Sequence, residues 1–295
     1  MLHGYIIINH KTEHSKYKID RFFEEAKDLD ISLEVIVNDG SLVSFENGTI
    51  KTHLKGDFII YLDKDIYLAK ILEANGMRLF NKSDFIRLCD DKILTFIALL
   101  NHDIKTPKTM CAPLIYDDYL EEKHFRFLKD VEREINYPMV FKKAYGSLGE
   151  GVFLVHNYDE LRALYSKYFK YPISFQSYVS SSYGRSVRVL VIDGKIFGAF
   201  ERYNTSDFRS NFHNGASSRI YELNEKYRVF VEKIIDILHI EYAGIDLMHD
   251  ENDDPILCEI NSNAFFEEFE KVTHLNVAKA YLEMVVKKLK EEKYV

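Results

Sequence analysis

The amino-acid sequence predicts an α/β fold, with α+β character in its larger C-terminal part, on three observations. Strand-like and helix-like segments alternate as far as residue 89. From Tyr137 onward, strand-like runs are separated by glycine-containing loops. Near the C-terminus a strongly amphipathic segment is followed by two more strand signals and a closing helix. Alternation of the first kind builds an open sheet with helices against its faces.

Each element follows from local pattern. Tyr5 to Asn9 is an apolar run of strand length, and Tyr17 to Leu29 places Ile19, Phe22, Phe23, Ala26 and Leu29 on one helical face. Leu33 to Val37 reads as a strand ended by the turn signal Asn38-Asp39-Gly40, and Phe45 to Thr49 as a hairpin around Asn47-Gly48. Asp57 to Leu62 is a buried strand, and Ile66 to Asn75 a helix stopped by Gly76. A helical stretch covers Ser83 to His102 and ends before Thr106-Pro107-Lys108. Strands are expected at Met139 to Lys143, Val152 to Val155, Ile173 to Val179, Ser186 to Ile192 and Lys195 to Tyr203. Leu223 to Leu238 repeats apolar residues at helical spacing, Ala243 to Met248 and Ile256 to Asn261 are strands, and Leu275 to Leu289 closes the chain as a helix.

Composition narrows the function classes. With 295 residues, 46% hydrophobic and 29% charged, the chain has the material for about two globular domains, not a disordered or fibrous polymer. Asp plus Glu outnumber Lys plus Arg by 47 to 39, a net charge of -8 that argues against a nucleic-acid partner. Cys89, Cys111 and Cys258 are too far apart for a disulfide framework or a Cys-zinc site. The N-terminus lacks a basic leader and no apolar run is long enough to span a bilayer, so a reduced, cytoplasmic setting without a membrane partner is expected.

Three constellations bear chemistry. Between two strand signals lies Lys142-Lys143-Ala144-Tyr145-Gly146-Ser147-Leu148-Gly149-Glu150-Gly151. It is neither a Walker loop nor a dinucleotide fingerprint. A glycine loop of this kind closes over phosphates through its backbone N–H groups, with Lys142 as a point charge, or else it is a mobile hairpin with solvated lysines. The second constellation is Asp246 on one strand with Glu259 and Asn261 on the next. A turn within Asp250 to Pro255 would make the strands antiparallel and set Asp246 opposite Glu259, giving either an oxygen-only magnesium site or an ordinary polar hairpin face. Cys258 and Ile260 are expected to face the core. Asp250, Asn252 and Asp254 imitate an EF-hand start, but Pro255 and Asn261 occupy its glycine and glutamate positions, leaving a solvated turn. The third constellation comprises Arg188, Arg202 and Arg209, which form either an anion site or separate surface ion pairs.

The order of these motifs resembles that of the ATP-grasp carboxylate–amine ligases, most closely the RimK-type amino-acid ligases. The resemblance rests on Cys89-Asp90-Asp91-Lys92, Ile104 to Thr109, Val140-Phe141-Lys142 with its glycine loop, Arg188, Asp207-Phe208-Arg209-Ser210-Asn211, and the set Asp246, Glu259 and Asn261. It implies an ATP-grasp fold over residues 90–295, with nucleotide sandwiched between about 90–178 and 179–295, preceded by a small open-sheet domain over 1–89. It further implies ATP and Mg²⁺, with Mn²⁺ as a substitute. Lys92 and Lys142 would meet the phosphates beneath the loop carrying Gly146, Ser147, Gly149 and Gly151. Gln176, Ser177, Tyr178 and Val179 would read adenine. Asp246, Glu259 and Asn261 would hold the metal, Arg209 and Asn211 would sit at the γ-phosphate, and Arg188 and Arg202 would stabilise charge.

Three departures accompany the likeness. Ser177 and Ser186 stand where the family carries acidic residues for adenine and ribose, and Ser262-Asn263-Ala264-Phe265-Phe266 replaces its Ser-Pro-Gly. The expected activity is formation of an acyl phosphate from an amino-acid or peptide carboxylate, followed by attack of an amine. A small-molecule kinase and a non-catalytic nucleotide binder are the alternatives. Homo-oligomerisation is left open.

Overall fold

Strand β1 (Leu2–Ile8) is buried on both faces, which explains its unbroken apolar run. The computed structural model describes residues 1–10, 15–146, 149–209 and 217–293. In the N-terminal sheet, β1 lies parallel to β2 (Ile31–Val37) and β5 (Phe58–Tyr61), and β5 to β6 (Leu79–Phe80), in the order β2-β1-β5-β6. Tyr5, Ile7, Ile59 and Tyr61 pack toward α2 (Ile66–Ala74), whereas Ile6, Ile8, Phe58 and Ile60 join a core shared with α1 (Lys16–Ala26) and the C-terminal elements. The hairpin of β3 (Ser44–Glu46) and β4 (Thr49–Lys51) turns on Asn47 and Gly48 at φ 51° and 75°, a left-handed pair that glycine accommodates.

Two findings correct the expected first helix. It ends at Ala26, with a 3-10 turn over Lys27–Leu29, and Phe23 is exposed while Lys18 is buried. The helical stretch after residue 82 is also two helices, α3 (Ser83–Asp90) and α4 (Lys92–Ala98). They break at Asp91, whose extended backbone lets its carboxylate accept from Ile93 N at 2.9 Å and Leu94 N at 3.1 Å.

The middle sheet is antiparallel, ordered β7-β10-β8-β9, from β7 (Thr109–Cys111), β8 (Met139–Lys143), β9 (Val152–Val155) and β10 (Ile173–Ser177). Its inner face, with Phe141 and Phe175, is covered by α5 (Phe127–Ile135) and α6 (Tyr158–Tyr168). Helix α6 corrects the expectation of strands joined only by loops. Its start was legible, because Asn157 caps the Glu160 N–H while Glu160 returns to the N–H of His156, as a capping residue and its partner do.

The third sheet runs β13-β12-β11-β14-β15 and is antiparallel throughout. Its strands are β11 (Arg185–Ile192), β12 (Lys195–Tyr203), β13 (Ser217–Ile220), β14 (Tyr242–His249) and β15 (Pro255–Asn261). Val187, Val189, Val191, Ile245 and Leu247 face α7 (Glu225–Leu238). On the opposite face, Leu190, Ile192 and Phe200 pack against α8 (Glu267–Thr273), α9 (Val277–Lys293) and the N-terminal sheet. The far end of that second face carries the polar residues of the cleft described next. Among the described residues, no helix is long and apolar enough to cross a membrane.

Candidate active site

A cleft opens between the middle and third sheets and is lined by residues of both. Strand β8 supplies Lys142, whose side chain lines the cleft although only 9% of the residue is exposed. Lys92 enters as the first residue of α4; its backbone N–H donates to Ala144 O at 3.2 Å and its Nζ to Gly146 O at 2.8 Å. The Asp91 cap therefore sets the starting point of Lys92. Gly146 and Gly149 border the cleft, while Gly151 lies just outside it at φ 77°, where an added Cβ would come within 2.7 Å of Lys143 Cδ.

Gln176, Ser177, Tyr178 and Val179 line the wall where β10 ends. Ser177 is tied on both sides to Lys108: its N–H donates to Lys108 O at 2.9 Å, and its Oγ accepts from Lys108 N at 3.0 Å. Gln176 Nε2 donates to Thr109 Oγ1 at 3.0 Å. The side chains of Gln176 and Ser177 are thus both engaged in the wall. Ser186 lines the same cleft from β11.

Across the floor, Asp246 pairs in register with Glu259. Asn261 Nδ2 donates to Asp246 Oδ2 and Glu259 Oε1, each at 3.2 Å, so all three polar ends converge. Lys92 Nζ lies 3.8 Å from Glu259 Oε2. Burial alone would raise the Glu259 pKa, but Lys92, Lys142 and Arg188 outweigh it and hold the carboxyl down at about 2. A register shift beside Leu247 makes room for one extra residue in β15, and Cys258 consequently lines the cleft, correcting its expected core orientation. Burial pushes its thiol up to about 11.

The three arginines do not form one anion site. Arg188 donates from Nε to Asp246 Oδ1 at 2.7 Å and from Nη2 to Oδ2 at 2.5 Å, a bidentate pair. Arg202 donates to Glu268 Oε2, with Nε at 2.8 Å. These two cations are close enough that Arg188, after burial itself, lowers the Arg202 pKa. Both lie behind the cleft floor. Arg209 borders the cleft separately, paired with Asp207 at 2.8 Å, and its Nη1 reaches Gly149 O at 3.5 Å. Each arginine is ion-paired by itself, but the pairs of Arg188 and Arg202 are buried and not at the surface. Ser147 and Asn211 lie outside the described residues.

Sequence reading passed over Arg185, which lines the cleft with its guanidinium held by Glu201 Oε1 at 2.9 and 2.7 Å. Its signal was available: Arg185 precedes Ser186, and a fully buried glutamate on the neighbouring strand requires a cation. The expected solvated turn is also more built than its composition suggests. Asp250 is buried and accepts from Asn252 N and Asp254 N, both at 2.8 Å.

Asp246, Glu259 and Asn261 form an oxygen-bearing set that fits a hard divalent ion: two opposed carboxylates and an amide that can turn its oxygen toward them. Among the described residues there is no group of three His, Cys, Asp or Glu side chains that could hold a metal ion, so the third donor here is the amide of Asn261.

With this geometry in view, relatives can be placed. The profile of the RimK-like ATP-grasp domain matches residues 89–285. The protein MG012 of Mycoplasma genitalium is 32% identical over 244 residues, which cover 81% of this chain and 83% of that one. Human beta-citrylglutamate synthase B is 28% identical over 267 residues, covering 84% and 67% of the two chains. The fold is that of the D-alanine–D-alanine ligase from Bacillus anthracis crystallised with ATP, at a TM-score of 0.73, 16% identity, and coverage of 99% and 100%. The chain belongs to the RimK-like ATP-grasp family and is an ATP-dependent carboxylate–amine ligase.

Proposed function

We propose that this ligase activates the carboxylate of an amino acid or peptide as an acyl phosphate in the cleft and joins it to an amine. The observation that carries the reading is the Asp246–Glu259 pair facing Lys92 and Lys142 across one enclosed space. Nucleotide lies with its base on the backbone of Gln176 to Val179, its ribose toward Ser186 and its phosphates between Lys92 and Lys142. The loop of Gly146, Ser147, Gly149 and Gly151 covers the phosphates and excludes water that would hydrolyse the intermediate. Asp246, Glu259 and Asn261 hold Mg²⁺, which offsets charge on the phosphates when bound. Arg209 with Asn211 steadies the γ-phosphate, and Arg188 fixes Asp246 in place. Arg202 stands behind the floor with its charge matched by Glu268. Residues 1–89 are the lead-in domain, outside the cleft lining, and 90–295 is the nucleotide-grasping body. The name of the human relative, a synthase of beta-citrylglutamate, supports an amino acid as one of the two substrates.

The test is ADP release with paired substrates. Turnover should require both an acid and an amine, and Glu259→Ala should lose at least about 100-fold in kcat. Hydroxylamine should trap a hydroxamate from the acyl phosphate. Full activity in the variant would remove the metal assignment, and a phosphorylated alcohol in place of the hydroxamate would mark a kinase.

A further inference from the structure

Lys18 belongs to α1, ahead of both cleft-forming sheets, yet only 2% of it is exposed. The helix is docked independently of this side chain. Tyr17 Oη donates to Glu270 Oε2 at 2.7 Å, Arg21 Nε donates to the same oxygen at 3.0 Å, and the Phe22 ring meets Phe266 edge-on at 5.7 Å. Lys18 Nζ reaches the loop after β15, donating to Asn263 O at 3.1 Å and to the Asn263 side-chain oxygen, 4.7 Å from the centre of the Phe265 ring. Asn263 is itself held by Leu62 O at 2.6 Å. The ammonium is therefore fixed in place before any ligand arrives.

Its charge is uncompensated. An ammonium has three donors, and two of them meet Asn263. Among the described residues, no carboxylate pairs with Lys18, whereas Arg188 and Arg202 are neutralised by Asp246 and Glu268. Burial and the field of Arg188 lower its pKa to about 7. Arg188 is the partner of Asp246, and Asn263 lies two residues beyond Asn261, so Lys18 stands at the end of the site away from the adenine wall. A buried cation lacking an anion is costly, and an arriving carboxylate would relieve the cost where a carboxamide would not. Phe265 beside it is 39% exposed, so this loop meets solvent next to the buried ammonium.

We propose that Lys18 is a specificity-determining residue that receives a substrate carboxylate left intact by the reaction. This deepens, and rests on, the ligase reading above. The carboxylate comes either from a second acid group of the activated substrate or from the α-carboxylate of the amine substrate, and kinetics varying one substrate at a time separate the two.

The experiment compares matched acid and amide probes, L-glutamate against L-glutamine for a side-chain acid and L-glutamate against its α-amide for an α-carboxylate, on wild type, Lys18→Met and Lys18→Gln. Lys18→Gln removes the charge but retains donors for Asn263, so it keeps the structural tie. Phosphate release and calorimetric binding in the presence of a non-hydrolysable ATP analogue and Mg²⁺ are measured in parallel. The wild type should favour at least one acid over its amide by about 30-fold, and both variants should bring that ratio to about 3-fold or less, with KM for ATP unchanged. An unaltered ratio in Lys18→Gln, a wild type indifferent to both swaps, or a change confined to KM for ATP would each overturn the assignment. Lys18-dependent binding of the acid without phosphate release would uphold it and count against the substrate reading instead.

Discussion

His249, at the end of β14, is 1% exposed and sits among charges that do not satisfy it. Its Nδ1 meets the Tyr227 hydroxyl and lies 3.3 Å from Asp253, whereas Nε2 is 3.8 Å from Glu201 and, among the described residues, has no hydrogen-bond partner. Burial first, and then Arg185, hold its pKa below the ordinary 6.5, against the pull of Asp253 and Glu201. The unfolded chain therefore binds the proton more readily, and stability is lost as pH falls from 6.5 through the folded pKa. Melting followed from about pH 7.5 to 5 should show this loss, and His249→Gln should flatten the slope while lowering Tm at the upper end. An equally steep slope in the variant would place the acid sensitivity elsewhere. Because Glu201 also holds Arg185 in the cleft wall, protonation of His249 acts close to the nucleotide side of the site.

At the scale of elements, the N-terminus of α4 joins a stability contribution to a functional one. Asp91 caps two N–H groups immediately before Lys92, so Asp91→Ala should cost about 1 kcal/mol and raise KM for ATP together. A melting shift without a kinetic one would separate the cap from the position of Lys92. Strand positions were largely legible here, with Met139–Lys143, Val152–Val155 and Lys195–Tyr203 readable from apolar runs and flanking turns. Helix α5, and α6 beyond its Asn157 cap, were not. Their buried residues, Leu128, Val131 and Ile135 in α5 and Leu161 and Tyr165 in α6, stand among charged neighbours, and β-branched and aromatic residues fit strand patterns as well as helical ones. The pairing of Asp246 with Glu259 was legible because strand period and turn position together define register. The inward rotation of Cys258 was not, since one extra residue in β15 changes the alternation without a local composition signal.

Across the whole molecule, one core ties the first strands to the last helix. Phe22 of α1, Phe58 of β5, Phe200 of β12, Phe266, and Tyr281 and Leu282 of α9 belong to it, and Asn81 reinforces it by donating to Tyr242 O at 2.9 Å and Ser262 O at 2.6 Å. Phe266→Ala should cost about 3–5 kcal/mol, yet unfolding followed by calorimetry should remain a single transition. A separate early transition of the N-terminal sheet would show that this shared core does not couple the two regions.

The sequence by itself determined the alternating lead-in, most strand positions and the order of motifs that marks the family, because hydrophobic period, turn residues and spacing act over short stretches of chain. Only the tertiary structure decided which charges are paired. It gave Arg188 to Asp246, Arg202 to Glu268 and Arg209 to Asp207, and left Lys18 buried beside Asn263 with no carboxylate partner among the described residues. The physical reason is that ion pairing depends on distance and burial between elements far apart in the chain. Lys18 and Asn263 are separated by 245 positions, and neither alone reveals the other.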